Sequence, residues 1–231
     1  MVRVLAYIRQ NLRTEVREGT MGIKRTAVTE KIDLFKKHSA EYVAPATPQL
    51  VTVGPARYLA VTGRGRPGGD EFQAKLGALF GVAFTIKMTR KFAGKGDYVV
   101  GKLEGQYWPD PGVPDPFDPP LDEMNWRLMI RTPDVVGEQD LTDAVARLTE
   151  KGKGDRADDV EVYAITEGEC VQMLHVGPYD KEMETIGPMV AFAESKGYQY
   201  EGPHHEIYLS DPRRVSPERL RTILRLPLSQ K

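Results

Sequence analysis

The stretch between residues 175 and 213 is the richest part of the chain in His, Glu, Asp and Tyr. Within it, HHEIYL at 204–209 has the composition of a β-strand. The two-residue period of a strand places His204, Glu206 and Tyr208 on one face. In surroundings poor in water, a carboxylate can accept a proton while a neighbouring phenol donates to a developing negative charge. The spacing therefore predicts a catalytic pair, Glu206 and Tyr208. A surface glutamate beside a tyrosine at a sheet edge is the alternative.

The other face of this predicted strand carries His205, Ile207 and Leu209. Because Ile207 and Leu209 are apolar, we expect that face to pack against helices or core. Glu206 and Tyr208 would then point to the opposite side of the sheet. In an apolar environment the carboxylate of Glu206 would be costly to ionise, so its pKa should rise.

Further candidate ligand-binding residues lie on neighbouring predicted elements. Tyr107 and Trp108 end one strand, and Trp126 lies on the next. Aromatic rings of this kind can stack on a flat ligand, or they can be ordinary core residues. His175 ends a strand just before a Gly-Pro turn, where it either holds the turn and Tyr179 or lines a groove with Tyr179.

Metal and dinucleotide sites lack support in the sequence. His204 and His205 are adjacent on a strand and so point to opposite faces, which prevents both from binding one metal. The segment GRGRPG at 63–68 matches a dinucleotide-binding pattern, but its flanking elements read as antiparallel and Pro67 lacks the amide that a phosphate would need. We therefore expect no metal and no cofactor.

The composition narrows the possible partners. The 231 residues include 32 Lys and Arg and 33 Asp and Glu, and the formal net charge of −1 gives no general attraction to nucleic acid or anionic membranes. We expect no direct contact with either. Cys170 is the only cysteine, so a disulfide within the chain is excluded and a cytoplasmic location is favoured.

The predicted elements repeat along the chain. Each half reads as two strands joined near a glycine, then a helix, then two further strands, with the joints at Gly54–Pro55 and Glu167–Gly168. A loop at 109–120 contains six prolines and is predicted to be a mobile lid. The predicted fold is α+β, with tandem strand-helix-strand-strand modules, an antiparallel sheet, helices on one face and a ligand groove at the pseudo-two-fold axis. The predicted boundaries are a flexible tail at 1–28 and one domain at 29–231, which comprises an arm at 29–42, module one at about 48–135, a helix and link at 136–159, and module two at about 160–231.

Several longer segments resemble one protein family. MLHVGPYDKEMETI, HHEIYLSDPRR, PERLRTILRLPL, DYVVGKLEGQYW and NWRLMIRTPD are similar to sequences of the GyrI-like small-molecule-binding family, in particular its stand-alone bacterial members. The likeness extends from about Lys31 to Leu228. It implies that Glu206 matches the acid of the family's pocket, and that Tyr208 and Trp108 match its tyrosine and tryptophan. Pro188 departs from the uninterrupted helix of the family.

The resemblance also implies what the protein does. Family members bind hydrophobic, often aromatic and cationic small molecules. Some stand-alone members are hydrolases that open the cyclopropane rings of DNA-alkylating natural products and so protect the cell. The sequence therefore leaves three functions open: a hydrolase of strained small molecules, a non-catalytic drug-binding or ligand-sensing module, and a protein-interaction module.

Overall fold

The computed structural model describes residues 31–113, 117 and 120–231. The predicted tail at 1–28 and the start of the predicted arm lie outside these residues. The helices of the described part are α1 (Leu34–Lys37), α2 (Ser39–Tyr42), α3 (Asp70–Phe92), α4 (Glu138–Glu150) and α5 (Met183–Ser195). The strands are β1 (Gln49–Arg64), β2 (Leu103–Trp108), β3 (Asn125–Arg131), β4 (Glu161–Val176), β5 (Tyr198–Tyr200), β6 (His204–Tyr208) and β7 (Arg221–Gln230).

The seven strands form one antiparallel sheet in the order β4-β1-β3-β2-β6-β7-β5. The predicted α+β fold with an antiparallel sheet is thus confirmed. In addition, β4 pairs with β7, so that six of the strands close into a ring. Closure leaves these six strands with a neighbour on both sides and so protects their backbone hydrogen-bonding groups.

The ring closes because β1 and β4 are long. Each is a continuous strand of 16 residues, where the sequence predicted two shorter strands joined at a glycine. Residues 49–60 of β1 pair with β4, and residues 58–64 pair with β3. Gly168 lies inside β4 with φ of 70°, so the strand changes direction there without losing its pairing.

The two halves of the chain have the same element order. β1, α3, β2 and β3 correspond to β4, α5, β6 and β7. In each half the first strand pairs with the last, and the last strand also pairs with the strand that follows the helix. The halves meet where β1 pairs with β4 and where β2 pairs with β6. A ligand between the halves would therefore contact β2 and β6 together.

The long helices cover the outside of the ring with apolar side chains. Phe72, Leu76 and Leu79 of α3 are buried in the larger core cluster, and Ile186 and Met189 of α5 in a second one. The helix α5 continues through Pro188, the residue at which the sequence departs from the uninterrupted helix of the family. None of the helices in the described part of the chain has the length and apolar character needed to cross a membrane.

Charged side chains fill part of the ring's interior. His205 Nδ1 lies 2.9 Å from Glu167 Oε1, and its Nε2 lies 3.1 Å from Glu104 Oε2. Arg225 donates to Glu167 over 2.8 Å. Burial alone would lower the pKa of His205, but the two carboxylates outweigh it and raise that pKa to about 9. The imidazolium therefore compensates two buried carboxylates, which would be costly if left unpaired.

Candidate functional site

The candidate site lies where β2 pairs with β6. Gly105 is opposite Glu206, and Tyr107 is opposite His204, so these four residues share one face of the sheet. Tyr208 lies on the same face, two residues beyond Glu206. The strand period thus groups His204, Glu206 and Tyr208 as the sequence predicts.

This face is the one covered by helices. Tyr208 borders a cavity together with Phe72 of α3, whereas Ile207 is packed inside the ring against Tyr42 and Ile223. The sequence left helices or core open for the face of Ile207, and Ile207 lies in the core. In a closed ring the interior is also apolar, and it takes up the side chains that an open sheet would turn toward its helices.

Two buried carboxyl groups form the centre of the site. Glu206 lies on β6, and Glu182 immediately precedes α5. Burial raises the pKa of Glu206 to about 7, although a hydrogen bond from Tyr208 acts in the opposite direction. Burial and the charge of Glu206 together raise the pKa of Glu182 well above its usual range. The pair therefore retains a proton at neutral pH, with Glu206 as the group that ionises first.

Three tyrosines surround the carboxyl pair. The hydroxyl oxygens of Tyr107 and Tyr208 are 2.6 Å apart, and the ring of Tyr179 meets that of Tyr208 edge-on at 5.9 Å between centroids. Gly105 provides the space for Tyr107, because a Cβ atom there would lie 2.8 Å from the Tyr107 hydroxyl. The phenols thus come from both halves of the chain.

A cavity of about 270 Å³ is bordered by two of these tyrosines, Tyr179 and Tyr208. Its apolar wall comes from one side of α3, where residues at helical spacing face the same way. Polar groups lie near its rim and beside Tyr208. Such a combination of apolar walls and few polar groups is typical of small-molecule sites. Lining side chains include Phe72, Leu76, Phe80, Leu103, Tyr179 and Tyr208.

The two tryptophans do not occupy the ligand-stacking positions that the sequence predicts for them. Trp126 is completely buried, donates its indole N–H to the Gly65 carbonyl over 3.1 Å and packs edge-on against Phe72. It supports the cavity wall from behind. Trp108 follows Tyr107 in β2 and so lies on the opposite face, where the guanidinium of Arg127 is 5.4 Å from its ring. Neither indole borders the cavity, because strand alternation and core packing direct both rings elsewhere.

His175 holds the turn before α5. It is buried, with Nδ1 2.8 Å from Thr185 Oγ1 and Nε2 3.2 Å from the Pro178 carbonyl oxygen. Of the two roles that the sequence left open for His175, these contacts favour the structural one. By fixing this turn, His175 positions Tyr179, which borders the cavity as the sequence predicts.

The proline-rich loop is only partly described. Asp110 accepts hydrogen bonds from Arg64 over 2.6 Å and from Asn125 over 2.7 Å, and the ring of Phe117 lies 4.9 Å from that of Tyr200. Residues 114–116 and 118–119, on which a lid would depend, lie outside the described residues. The mobile lid stays a prediction.

The two-residue period of the strands identifies neither Glu182 nor the α3 residues that form the cavity wall. Glu182 follows Tyr179 by three residues, the spacing of one helical turn, and this is the only local sign that both belong to the same site. The α3 residues carry the ordinary apolar stripe of a core helix. Only the packing of α3 over β1 and β3 shows that part of this stripe borders a cavity.

Three potential ligand atoms converge beside the tyrosines. One atom each from Glu182, His204 and Glu206 lies within 4.8 Å of the others, which meets the spacing condition for a metal ion. Glu182 Oε1 and His204 Nε2 are buried and have no hydrogen-bond partner among the described residues. The spacing of His204 and His205 gives no sign of this cluster, because Glu182 comes from a different element. A shared proton satisfies the two carboxyl groups equally well.

Comparison with known proteins supports a common ancestry for this architecture. A crystal structure of an uncharacterized conserved protein from Listeria innocua has 38% identity and a TM-score of 0.80 over 86% of this chain and 100% of the other. A hydrolase from Listeria innocua has 36% identity and a TM-score of 0.77 over the same shares. A hydrolase encoded by lin2189 from the same organism has 37% identity and a TM-score of 0.78, covering 87% of this chain and 100% of the other.

No curated protein matches the sequence closely enough to count as a relative. The family model that matches, at residues 126–229, is described as a GyrI-like small molecule binding domain. This region contains β3 and the second half with Glu182 and Glu206, and the Listeria proteins extend the likeness over the first half. The chain belongs to the GyrI-like small-molecule-binding family.

Proposed function

We propose that this protein is a hydrolase that opens strained cyclopropane rings in hydrophobic, DNA-alkylating compounds, in a protective role inside the cell. The observation that carries the proposal is the buried pair Glu182 and Glu206, in which Glu206 accepts a hydrogen bond from Tyr208, a residue that borders the cavity. A carboxyl group with a pKa of about 7 is suited to act as a general base near neutral pH. Two relatives at 36% and 37% identity, described as hydrolases, favour this class of reaction.

The reaction begins with a water molecule next to ionised Glu206. Glu206 accepts a proton from the water as the water oxygen bonds to a cyclopropane carbon. The C–C bond to that carbon breaks, and its electron pair moves onto a carbonyl oxygen conjugated with the ring. A proton then returns to the resulting enolate or phenolate, so that substrate plus water gives a ring-opened alcohol. Ring strain lowers the barrier, and general-base catalysis normally contributes about a hundredfold to ten-thousandfold.

The tyrosines contribute orientation and hydrogen bonds. Tyr208 donates to Glu206, and its hydroxyl is also 2.6 Å from that of Tyr107. These contacts fix the direction of the carboxylate that receives the proton. Glu182, which keeps its proton longer, donates to Glu206, so that two negative charges do not meet within the buried pair.

The decisive experiment compares Glu206→Gln with Glu184→Gln on a cyclopropane-bearing alkylator, with products identified by mass spectrometry. Glu184 is exposed on α5, the helix that Glu182 precedes, and serves as the matched control. We expect turnover to fall at least about a hundredfold in Glu206→Gln while a neutral ligand still binds. The wild-type rate should be unchanged by EDTA, because the proposed steps use a proton between the carboxyl groups.

The alternative functions make different predictions in the same assay. A drug-binding module would bind the compound and release it unaltered, and Glu206→Gln would weaken only cationic ligands. A protein-interaction module would not bind the compound. Either result in the wild-type protein would disprove the hydrolase proposal.

A further inference from the structure

The cluster of Glu182, His204 and Glu206 has the geometry of a site for a divalent metal ion. One ligand atom from each residue lies within 4.8 Å of the other two. At metal–ligand distances of about 2.0–2.2 Å, the atoms around a tetrahedral ion are roughly 3.4 Å apart. Modest rotations of the three side chains therefore suffice to enclose an ion. The ligands come from β6 and from the residue that precedes α5, rather than from the adjacent pair His204 and His205.

The proton between the two carboxyl groups leaves part of this cluster unsatisfied. Glu182 is 8% exposed, and its Oε1 is buried without a hydrogen-bond partner in the described part of the chain. The Nε2 atom of His204 is buried and unpartnered in the same way. A proton shared by Glu182 and Glu206 does not bond to that nitrogen. Unpaired buried polar atoms are destabilising, and a cation bonded to both atoms would remove this cost.

His204 differs in this respect from the other three histidines of the chain. Both ring nitrogens of His175 lie within 3.2 Å of an oxygen atom, and both of His205 lie within 3.1 Å of one. Nδ1 of His38 is 3.4 Å from a carboxylate oxygen of Glu41 at a partly exposed position. The buried ring nitrogen of His204 is thus the one that remains available to a ligand within the described ranges.

Charge and chemistry suit zinc. Two ionised carboxylates and a neutral imidazole balance a divalent ion, so that no net charge is buried. An imidazole ligand favours zinc and similar transition metals over Mg²⁺ and Ca²⁺, which prefer oxygen atoms alone. His204 and Glu206 lie on β6, which is hydrogen-bonded to β2 on one side and β7 on the other, and a rigid element of this kind holds ligands in place. Three protein ligands leave a fourth position for water.

We propose that Glu182, His204 and Glu206 bind Zn²⁺, and that the ion inhibits the enzyme by displacing the proton that the two carboxyl groups share. The displaced proton passes to the solvent. The inhibition rests on the proposed function: the electron pair with which Glu206 would accept a proton from water is donated to the metal instead. The metal-free protein is then the active form, in agreement with the expected insensitivity to EDTA. Zinc binding itself does not depend on turnover.

Calorimetry with ZnCl₂ on metal-free protein tests the site directly. We expect one tight site in the wild type, with no competition from excess MgCl₂. His204→Asn shortens the side chain so that no atom replaces Nε2, and Glu182→Gln replaces a carboxylate by an amide of the same shape. Each should weaken binding at least about tenfold to a hundredfold, the loss that follows even when a residue behind a metal ligand is removed. Anomalous diffraction at the zinc edge should place the ion among the three side chains.

His38→Gln is the matched control, because His38 and Glu41 form a histidine–carboxylate pair at a partly exposed position, where zinc would bind adventitiously. The affinity of the tight site should be unchanged in this variant. Unchanged tight binding in a folded His204→Asn or Glu182→Gln, or an ion located at His38 alone, would overturn the proposal.

Turnover separates the inhibition from the hydrolase function. Saturating ZnCl₂ should lower wild-type turnover at least about tenfold, and excess EDTA should restore it. If zinc binds at the site and turnover is unchanged, the inhibitory role is wrong and the hydrolase function stands. If zinc binds but the metal-free protein opens no cyclopropane ring, the zinc site stands and the hydrolase function fails. If turnover proceeds and zinc does not bind, the zinc site is wrong and the hydrolase function stands.

Discussion

Tyr107 and Tyr208 come from different halves of the chain and place their hydroxyl oxygens 2.6 Å apart. The contact crosses the pairing of β2 with β6 and lies next to Glu206. It therefore connects the closure of the ring to the position of the proposed base. The following predictions test this connection and the electrostatics around it.

Glu182 should set the pH at which turnover begins. Burial raises the pKa of Glu206 to about 7, while a hydrogen bond from Glu182 acts against this rise. Turnover in the wild type should increase as the pH passes through about 7. Glu182→Leu removes the donor and should shift this increase upward by about one pH unit, because a hydrogen bond is worth about 1 kcal/mol. Glu182→Gln retains a donor and should shift it less. Equal pH–rate profiles for both variants would contradict the prediction.

Glu206→Gln should stabilise the protein at high pH. Because the folded-state pKa of Glu206 is raised, the wild type loses stability as the pH rises from about 4.5, the usual value, through about 7. Glutamine has no proton to lose. The melting temperature of the variant should exceed that of the wild type at pH 8 by several degrees, at about 2–4 °C per kcal/mol, with little difference at pH 4. Thermal scans at both pH values test this, and a lower melting temperature at pH 8 would refute it.

Gly105→Ala should disturb the tyrosine pair. The added Cβ atom would lie 2.8 Å from the Tyr107 hydroxyl, so the ring must move away from Tyr208. We expect turnover to fall by up to about tenfold, the value of one neutral hydrogen bond. Gly54→Ala, in β1, is the control, because a Cβ atom there meets nothing within 4 Å. Equal turnover in the two variants would show that the position of Tyr107 is unimportant.

His205→Gln should destabilise the ring of strands, although His205 does not line the cavity. It removes the positive charge between Glu104 and Glu167, and breaking such a buried pair costs about 3–5 kcal/mol. Because the pKa of His205 is raised to about 9, its stabilisation is complete below about 6.5 and is lost as the pH rises through 9. Urea unfolding should therefore show a larger loss at pH 6 than at pH 10.

His38→Gln provides the control for this measurement. His38 Nδ1 lies 3.4 Å from Glu41 at a partly exposed position, where ion pairs contribute about 0–1 kcal/mol. A similar loss of stability in both variants would show that the interior charges do not act as proposed.

Local pattern in the sequence was sufficient for much of the fold. The antiparallel α+β class is confirmed, and the helix Glu138–Glu150 lies within 136–159, where the sequence predicts a helix and a link. The period of β6 correctly grouped His204, Glu206 and Tyr208 on one face. These features depend on neighbours within a few residues, which is the range over which periodicity carries information.

The sequence alone indicated the family, through the resemblance of several segments to its members. It also determined the antiparallel α+β class and the residues that share a strand face, because these follow from local spacing. Only the tertiary structure decided which face the helices cover, because ring closure creates a second apolar interior, which receives Ile207. It also placed Trp126 in the core and brought Glu182 next to Glu206 and His204. These placements depend on pairings between segments far apart in the chain, and no local spacing records them.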